Sequence, residues 1–145
     1  MSQEVTLGAI VRNFAGIINT AKAMGVMSEG HQTIDEYTTD DLYCRRCRIP
    51  AGTYGATLVH RKDHISICLQ GDLILIDQDG NVTEISAPAV FVTKAGTQRS
   101  VKAVTDVDFI TVHYHPNADL SNIENDLGCQ TMAEYNRLIS HEVEQ

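Results

Sequence analysis

The sequence predicts a mainly β fold, a sandwich or barrel of short strands with a helix before it and helices after it. Three observations predict it. From Leu42 onward, apolar and polar residues alternate in short runs such as His64-Ile-Ser-Ile-Cys-Leu-Gln70 and Asp108-Phe-Ile-Thr-Val-His-Tyr-His115, the period of a half-buried strand. Turn signals separate the runs at even spacing: Ile49-Pro-Ala-Gly-Thr53, Gln78-Asp-Gly-Asn81 and Thr93-Lys-Ala-Gly-Thr97. Apolar stripes at helical spacing are confined to the two ends of the chain.

Taken in order, residues Leu7 to Met24 carry apolar side chains at Leu7, Ile10, Val11, Phe14, Ile17, Ile18 and Ala21, with Thr6 as an N-cap and Gly25 as a stop. This stripe reads as the packing face of a helix. Met27 to Asp41 is polar, holds His31 and the acids Glu29, Asp35, Glu36, Asp40 and Asp41, and reads as a solvated connecting loop. The strands follow, and the final one ends at Pro116. Asn117-Ala-Asp119 then leads into a short helix around Leu120 to Leu127. A second, from Thr131 to about Val143, has a capping pair in Thr131 and Glu134 and offers Met132, Tyr135, Leu138 and Ile139 to the barrel or to a partner. The expected organisation is therefore a helix and linker over 1–41, a β-barrel over 42–116 and a helical segment over 117–145.

Composition excludes several classes of function. A chain of 145 residues with 43% apolar content buries one core without covalent staples. A net charge of -8 opposes a dedicated nucleic-acid surface, which needs a basic patch to displace counterions, and opposes anionic membranes. No apolar run approaches a membrane span, and Met-Ser-Gln-Glu-Val lacks the layout of a signal peptide, so the expectation is a cytoplasmic protein. Cys44-Arg-Arg-Cys47 has the spacing of a zinc half-site, but no second pair follows. Three residues apart on a strand, the two thiols point to opposite faces, which suits neither chelation nor a disulfide; reduced thiols are expected.

The residues that carry chemistry are histidines and an arginine. His60 and His64 lie four apart between apolar runs, and a neutral imidazole suits transition metals. On the last strand His113 shares a face with Phe109 and Thr111. The expectation is that His113 turns inward while His115, near the strand end, turns outward. With His60 and His64 it would make a three-histidine site for Zn, Fe, Mn or Ni that leaves a position open. Arg99 inside a pocket would repel a cation yet offer a forked donor to a carboxylate or phosphate. With His60, His64, Tyr54 and Lys94 it would build an anion-receptive cup.

The frame around these histidines is similar to that of the cupins. Gly52 lies eight positions before His60 and Gly71 seven after His64, which resembles the first cupin motif of a glycine, an H-x-H pair, a glutamate and a glycine. His60 takes the second histidine position and His64 the glutamate position, while Leu58 stands where the first histidine falls. Lys94-Ala-Gly-Thr-Gln-Arg99 resembles the second motif, P-x-G-x-x-H, with lysine for the proline and arginine for the histidine. The likeness runs from near Tyr43 to near Pro116 and is to short single-domain cupins of the kind encoded by phages and bacteria. It implies a jelly-roll barrel in which His64, Ser66 and Cys68 face inward, making Cys68 a candidate ligand contact, and Ile65, Ile67 and Leu69 face outward. It also implies that the outer face is covered by the terminal helices or by a second subunit, since cupins usually pair their sheets into homodimers.

The functional expectation is a small-ligand-binding cupin with a degenerate metal or anion pocket, used for sensing, carrying or sequestering a small molecule. If the chain is phage-encoded, the molecule would be the host's. Two alternatives stand beside it: a cupin enzyme, either a metal-dependent oxygenase or isomerase or a metal-free epimerase with a histidine base, and a virion or assembly accessory protein. The fold alone does not choose among them.

Overall fold

The computed structural model describes residues 32–143. The helix read over Leu7 to Met24, and His31, lie outside the described residues. Ten strands run first in chain order: β1 (Thr33–Thr38), β2 (Leu42–Ile49), β3 (Tyr54–Ala56), β4 (Val59–His60), β5 (His64–Gln70), β6 (Asp72–Asp77), β7 (Val82–Ser86), β8 (Ala89–Thr93), β9 (Arg99–Ala103) and β10 (Val107–Tyr114). Helix α1 (Ile123–Leu127), strand β11 (Gly128–Cys129) and helix α2 (Met132–Val143) follow.

Every pairing is antiparallel. A five-stranded sheet runs β1-β2-β10-β5-β8, a four-stranded sheet runs β3-β9-β6-β7, and β11 pairs with β4 as a short ribbon. The chain is a jelly roll with helices at its C-terminal end. Among the described residues no helix is long and apolar enough to cross a membrane.

The alternation in the sequence sets which face of each strand is buried. On β5, His64, Ser66 and Cys68 are buried while Ile65 and Leu69 are exposed. Cys68, Leu73, Leu75, Ile85, Ala103 and Val107 form the core between the sheets, with Phe91, Val101 and Phe109 packed against them. A second cluster joins Tyr43 on β2 to Ile123 and Leu127 of α1. Gly71 makes the β5–β6 turn at φ +91°, and a Cβ there would overlap the carbonyl oxygen of Asp106.

The segment read as a connecting loop is corrected in part. Thr33–Thr38 within it is a strand at the edge of the larger sheet, paired with β2 from Thr33↔Arg48 to Thr38↔Tyr43. It lacks an apolar alternation because its partners are polar: Asp35 pairs with Arg48 and Glu36 accepts a hydrogen bond from Tyr43. At the other end, Thr131 caps α2 as expected, accepting the Glu134 N–H at 3.2 Å, while the Glu134 carboxylate accepts the Gln130 N–H. Tyr135 of α2 covers the Gly96 turn, where φ is +80° and a Cβ would come within 3.0 Å of its ring.

Candidate functional site

Between the sheets lies a cavity of about 600 Å³ whose apolar wall is formed by core residues, Ile49, Leu73, Leu75, Val101 and Phe109 among them. His60, His64 and His113 meet in this cavity. Strand register brings two of them together. Tyr43 pairs with His113 across β2 and β10, His64 pairs with Thr93 across β5 and β8, and Val112↔Ile65 puts His113 next to His64. His60 arrives from β4, held by its pairing with Gly128 of β11 and by the Gly96 N–H, which donates to its carbonyl at 2.9 Å. The ring centroids lie 4.2 Å apart for His60 and His64, 4.5 Å for His64 and His113, and 5.7 Å for His60 and His113. One nitrogen from each ring lies within 4.8 Å of the others.

The three imidazoles are held neutral. Burial, then the charge that a protonated His64 would carry, then Arg45 and Arg99 push His60 down to about 3. Burial and the two neighbouring histidines push His113 down to about 3, and burial lowers His64. The Nδ1 atoms of His60 and His64 are buried without a hydrogen-bond partner, and Nε2 of His113 lies 2.9 Å from the Thr111 hydroxyl. Three uncharged nitrogen donors at this separation, two of them with unsatisfied buried atoms, fit a transition cation bound by imidazole and do not fit Ca²⁺ or Mg²⁺, which take oxygen ligands.

Arg99 faces the cavity. Its backbone N–H donates to Thr57, its guanidinium donates to the Thr93 hydroxyl at 3.3 Å and stacks over Phe91, and Thr93 in turn is bonded to Ser66 at 2.8 Å. Tyr54 stands at the cavity rim, 42% exposed, with the Lys102 ammonium over its ring.

Two of the expected ligand contacts, Lys94 of the cup and Cys68, are placed elsewhere. Lys94 does not reach the cavity; its side chain is 75% exposed and its ammonium lies 3.2 Å from Asp63. The reason is local, since Asp63 also accepts the Ala95 N–H and so organises the outer side of the turn. Cys68 faces inward as expected but belongs to the core between the sheets, fully buried, with its thiol directed to the carbonyls of Gln70 and Gly71. Burial raises its pKa, so it is not a reactive thiolate. Cys44 and Cys47 are free, and only Cys47 lines the cavity. His115 stays out of the cavity and lies 3.2 Å from Asp126.

The sequence reading missed Arg45. It lies on β2 between the buried Tyr43 and the cavity-lining Cys47, so the alternation places it on the inner face. Its Nε donates to the Tyr43 hydroxyl at 2.9 Å, and that hydroxyl donates to Glu36 at 2.6 Å. Burial and the bond to Glu36 push the Tyr43 phenol up to about 12, so it stays a donor and fixes the arginine.

No family model matches the chain, and no curated protein sequence does. Solved structures do. Salicylate 1,2-dioxygenase from Pseudaminobacter salicylatoxidans is similar with a TM-score of 0.53 and 17% identity over 71% of this chain, which spans only 32% of that enzyme. A Neisseria meningitidis protein is similar with a TM-score of 0.53 and 11% identity over 68% of this chain and 96% of its own length. A conserved Streptococcus pyogenes protein of unknown function gives 0.51 and 16% over 63% of this chain and 80% of its own. These likenesses support a cupin-like fold, and at such identities they extend no further than the fold.

Proposed function

We propose that the chain is a small-ligand-binding cupin that holds a divalent transition metal on His60, His64 and His113 and receives an anionic small molecule on Arg99. One observation carries the reading: three neutral imidazoles, His64 and His113 buried and His60 half-buried, converge with donor nitrogens within 4.8 Å on the wall of a ligand-sized cavity. The usual cupin positions at Leu58 and Arg99 have lost their histidines, and His113 on β10 supplies the third donor. When bound, the ion would supply Lewis acidity and open coordination positions toward the cavity. The protein's own part is to keep the imidazoles neutral by burial, to fix them on three separate strands, and to hold a guanidinium beside them for the ligand's charge.

Elemental analysis of protein purified without chelator or affinity metal tests this. The expected result is about one Zn, Fe, Mn or Ni per chain, lost on substituting His60→Ala, His64→Ala or His113→Ala with circular dichroism unchanged. Metal-free wild-type protein that also takes up none of these ions on titration would refute it.

Catalysis is a second reading, favoured by the open side of a three-histidine set. One of the similar structures is a dioxygenase solved with gentisate. Sites with three protein ligands and free positions serve hydrolytic and oxidative chemistry as readily as storage. Oxygen uptake by the iron-loaded protein in the presence of small aromatic acids distinguishes the two readings.

The assembly in this proposal is a homodimer through the outer face of the larger sheet. Val112, Ile65 and Val92 form one row across β10, β5 and β8, with Ile110, Ile67 and Val90 in the next. Val90 is 70% exposed and Val92, Leu69 and Ile65 are also exposed, an apolar face that calls for a cover.

A further inference from the structure

Charge in the cavity narrows the ligand class, and the argument rests on the metal reading above. Imidazole is a neutral ligand, so three of them would bring no negative charge to a bound divalent cation. Two guanidiniums share the same cavity wall, Arg99 from β9 and Arg45 from β2. They stand on different sheets, Arg99 on the four-stranded sheet and Arg45 on the five-stranded sheet.

Among the described residues neither guanidinium has a carboxylate within hydrogen-bond distance. Among the described residues Arg99 makes one side-chain hydrogen bond, to the neutral Thr93 hydroxyl, and no ion pair. Asp77, its register partner across β6 and β9, spends its oxygens on Asp79 and Asn81. Arg45 gives Nε to Tyr43, which leaves the Nη groups of its fork; Glu124 stands 3.8 Å away, beyond hydrogen-bond length, and is 65% exposed. Glu124 is the only carboxylate on the cavity wall among the described residues. Two half-buried guanidiniums, each with most of its donors unspent, stand on opposite sheets and face one space, an arrangement suited to a ligand that answers both.

We propose that the cavity takes a small dianion with two separated acidic groups, of the dicarboxylate class, one group on Arg99 and the other on Arg45, lying across the histidine cluster. The apolar wall of Ile49, Leu73, Val101 and Phe109 accommodates the carbon segment between the two groups. In this role Arg45 sets specificity: it separates a diacid from a monoacid of the same length.

Calorimetric titration of the full chain, zinc-loaded and metal-free, with malonate, succinate and adipate against propionate, butyrate and hexanoate tests it. At least one diacid is expected to bind tenfold or more tightly than its monoacid. Arg45→Gln, which keeps a donor for Tyr43, removes that preference by weakening diacids far more than monoacids, while Arg45→Lys restores part of it. Glu124→Gln, an exposed change that does not threaten folding, tightens diacid binding by severalfold and by more than it tightens monoacid binding. Diacids no tighter than monoacids, no binding by any probe, or a preference indifferent to both Arg45 and Glu124 overturns the proposal. Zinc content measured on the same samples separates it from the metal reading. Stoichiometric zinc without a diacid preference sinks the dianion alone, whereas an arginine-dependent preference in protein that takes no zinc sinks the metal alone.

Discussion

Acidification of the metal-free chain should remove stability through the cavity histidines before the hydrogen-bonded carboxylates Asp63, Asp77, Asp108 and Asp119 titrate. His60 and His113 are each lowered from 6.5 to about 3 by burial and by their neighbours. A folded-state pKa below the unfolded value means that the unfolded chain takes up the proton first. The contribution of these groups is therefore complete above pH 6.5 and is lost as pH falls toward 3. At pH 5 the unfolded imidazole is about 1.5 pH units below its midpoint while the folded one is still neutral, a cost of about 2 kcal/mol for each group. Two such groups remove about 4 kcal/mol, a large share of the roughly 5–15 kcal/mol that holds a domain of this size. The carboxylates Asp63, Asp77, Asp108 and Asp119 are all shifted downward and stay ionised in this window. Urea unfolding of chelator-treated protein at pH 7.5 and 5.0, compared with the His60→Gln/His113→Gln double variant, isolates the effect. Wild type should lose several kcal/mol more than the double variant over this interval. Equal losses in the two proteins would refute the burial argument, because the imidazoles would then be solvated in the folded state.

Other consequences follow from single positions. Gly71→Ala should cost at least about 2 kcal/mol in unfolding free energy, since it combines a positive φ with an overlap against the Asp106 carbonyl, and a calorimetric melt reads it directly. Thr131→Ala should cost about 1 kcal/mol, the loss of the hydroxyl that caps α2, with helical circular dichroism fraying at that end. Val90→Lys with Ile65→Lys should shift the chain from dimer to monomer in sedimentation equilibrium without lowering its melting temperature; a wild-type monomer would refute the dimer. Cys68 should resist alkylation by iodoacetamide in the native state while Cys47, on the cavity wall, is modified faster.

How far the site could be read from the sequence depended on which physical signal each residue leaves there. Strand parity is a strong signal, so alternation alone groups His64, Ser66 and Cys68 on one face and His113 with Phe109 and Thr111 on one face, while the choice of the inward side came from the cupin likeness. Parity says which face a residue takes but not its depth in the barrel. Cys68 and His64 share a face, yet one is core and the other is cavity wall, because four residues along a strand traverse about 13 Å. Lys94 failed for a different reason: in a turn there is no parity, and its direction is set by Asp63, thirty-one positions away. The edge strand Thr33–Thr38 left no apolar pattern, since its side chains pair with Arg48 and Tyr43 and not with a core. Arg45 is the instructive case. Its parity with Tyr43 and Ile49 was readable, but an arginine on a strand ordinarily marks the solvent face. Only the tertiary partners, a buried tyrosine tied to Glu36 on the next strand, make an inward guanidinium tolerable. A residue kept in so costly a place, with most of its donors unspent, is where a ligand's charge is most needed, and for that reason Arg45 is a sharper guide to the ligand than the histidines.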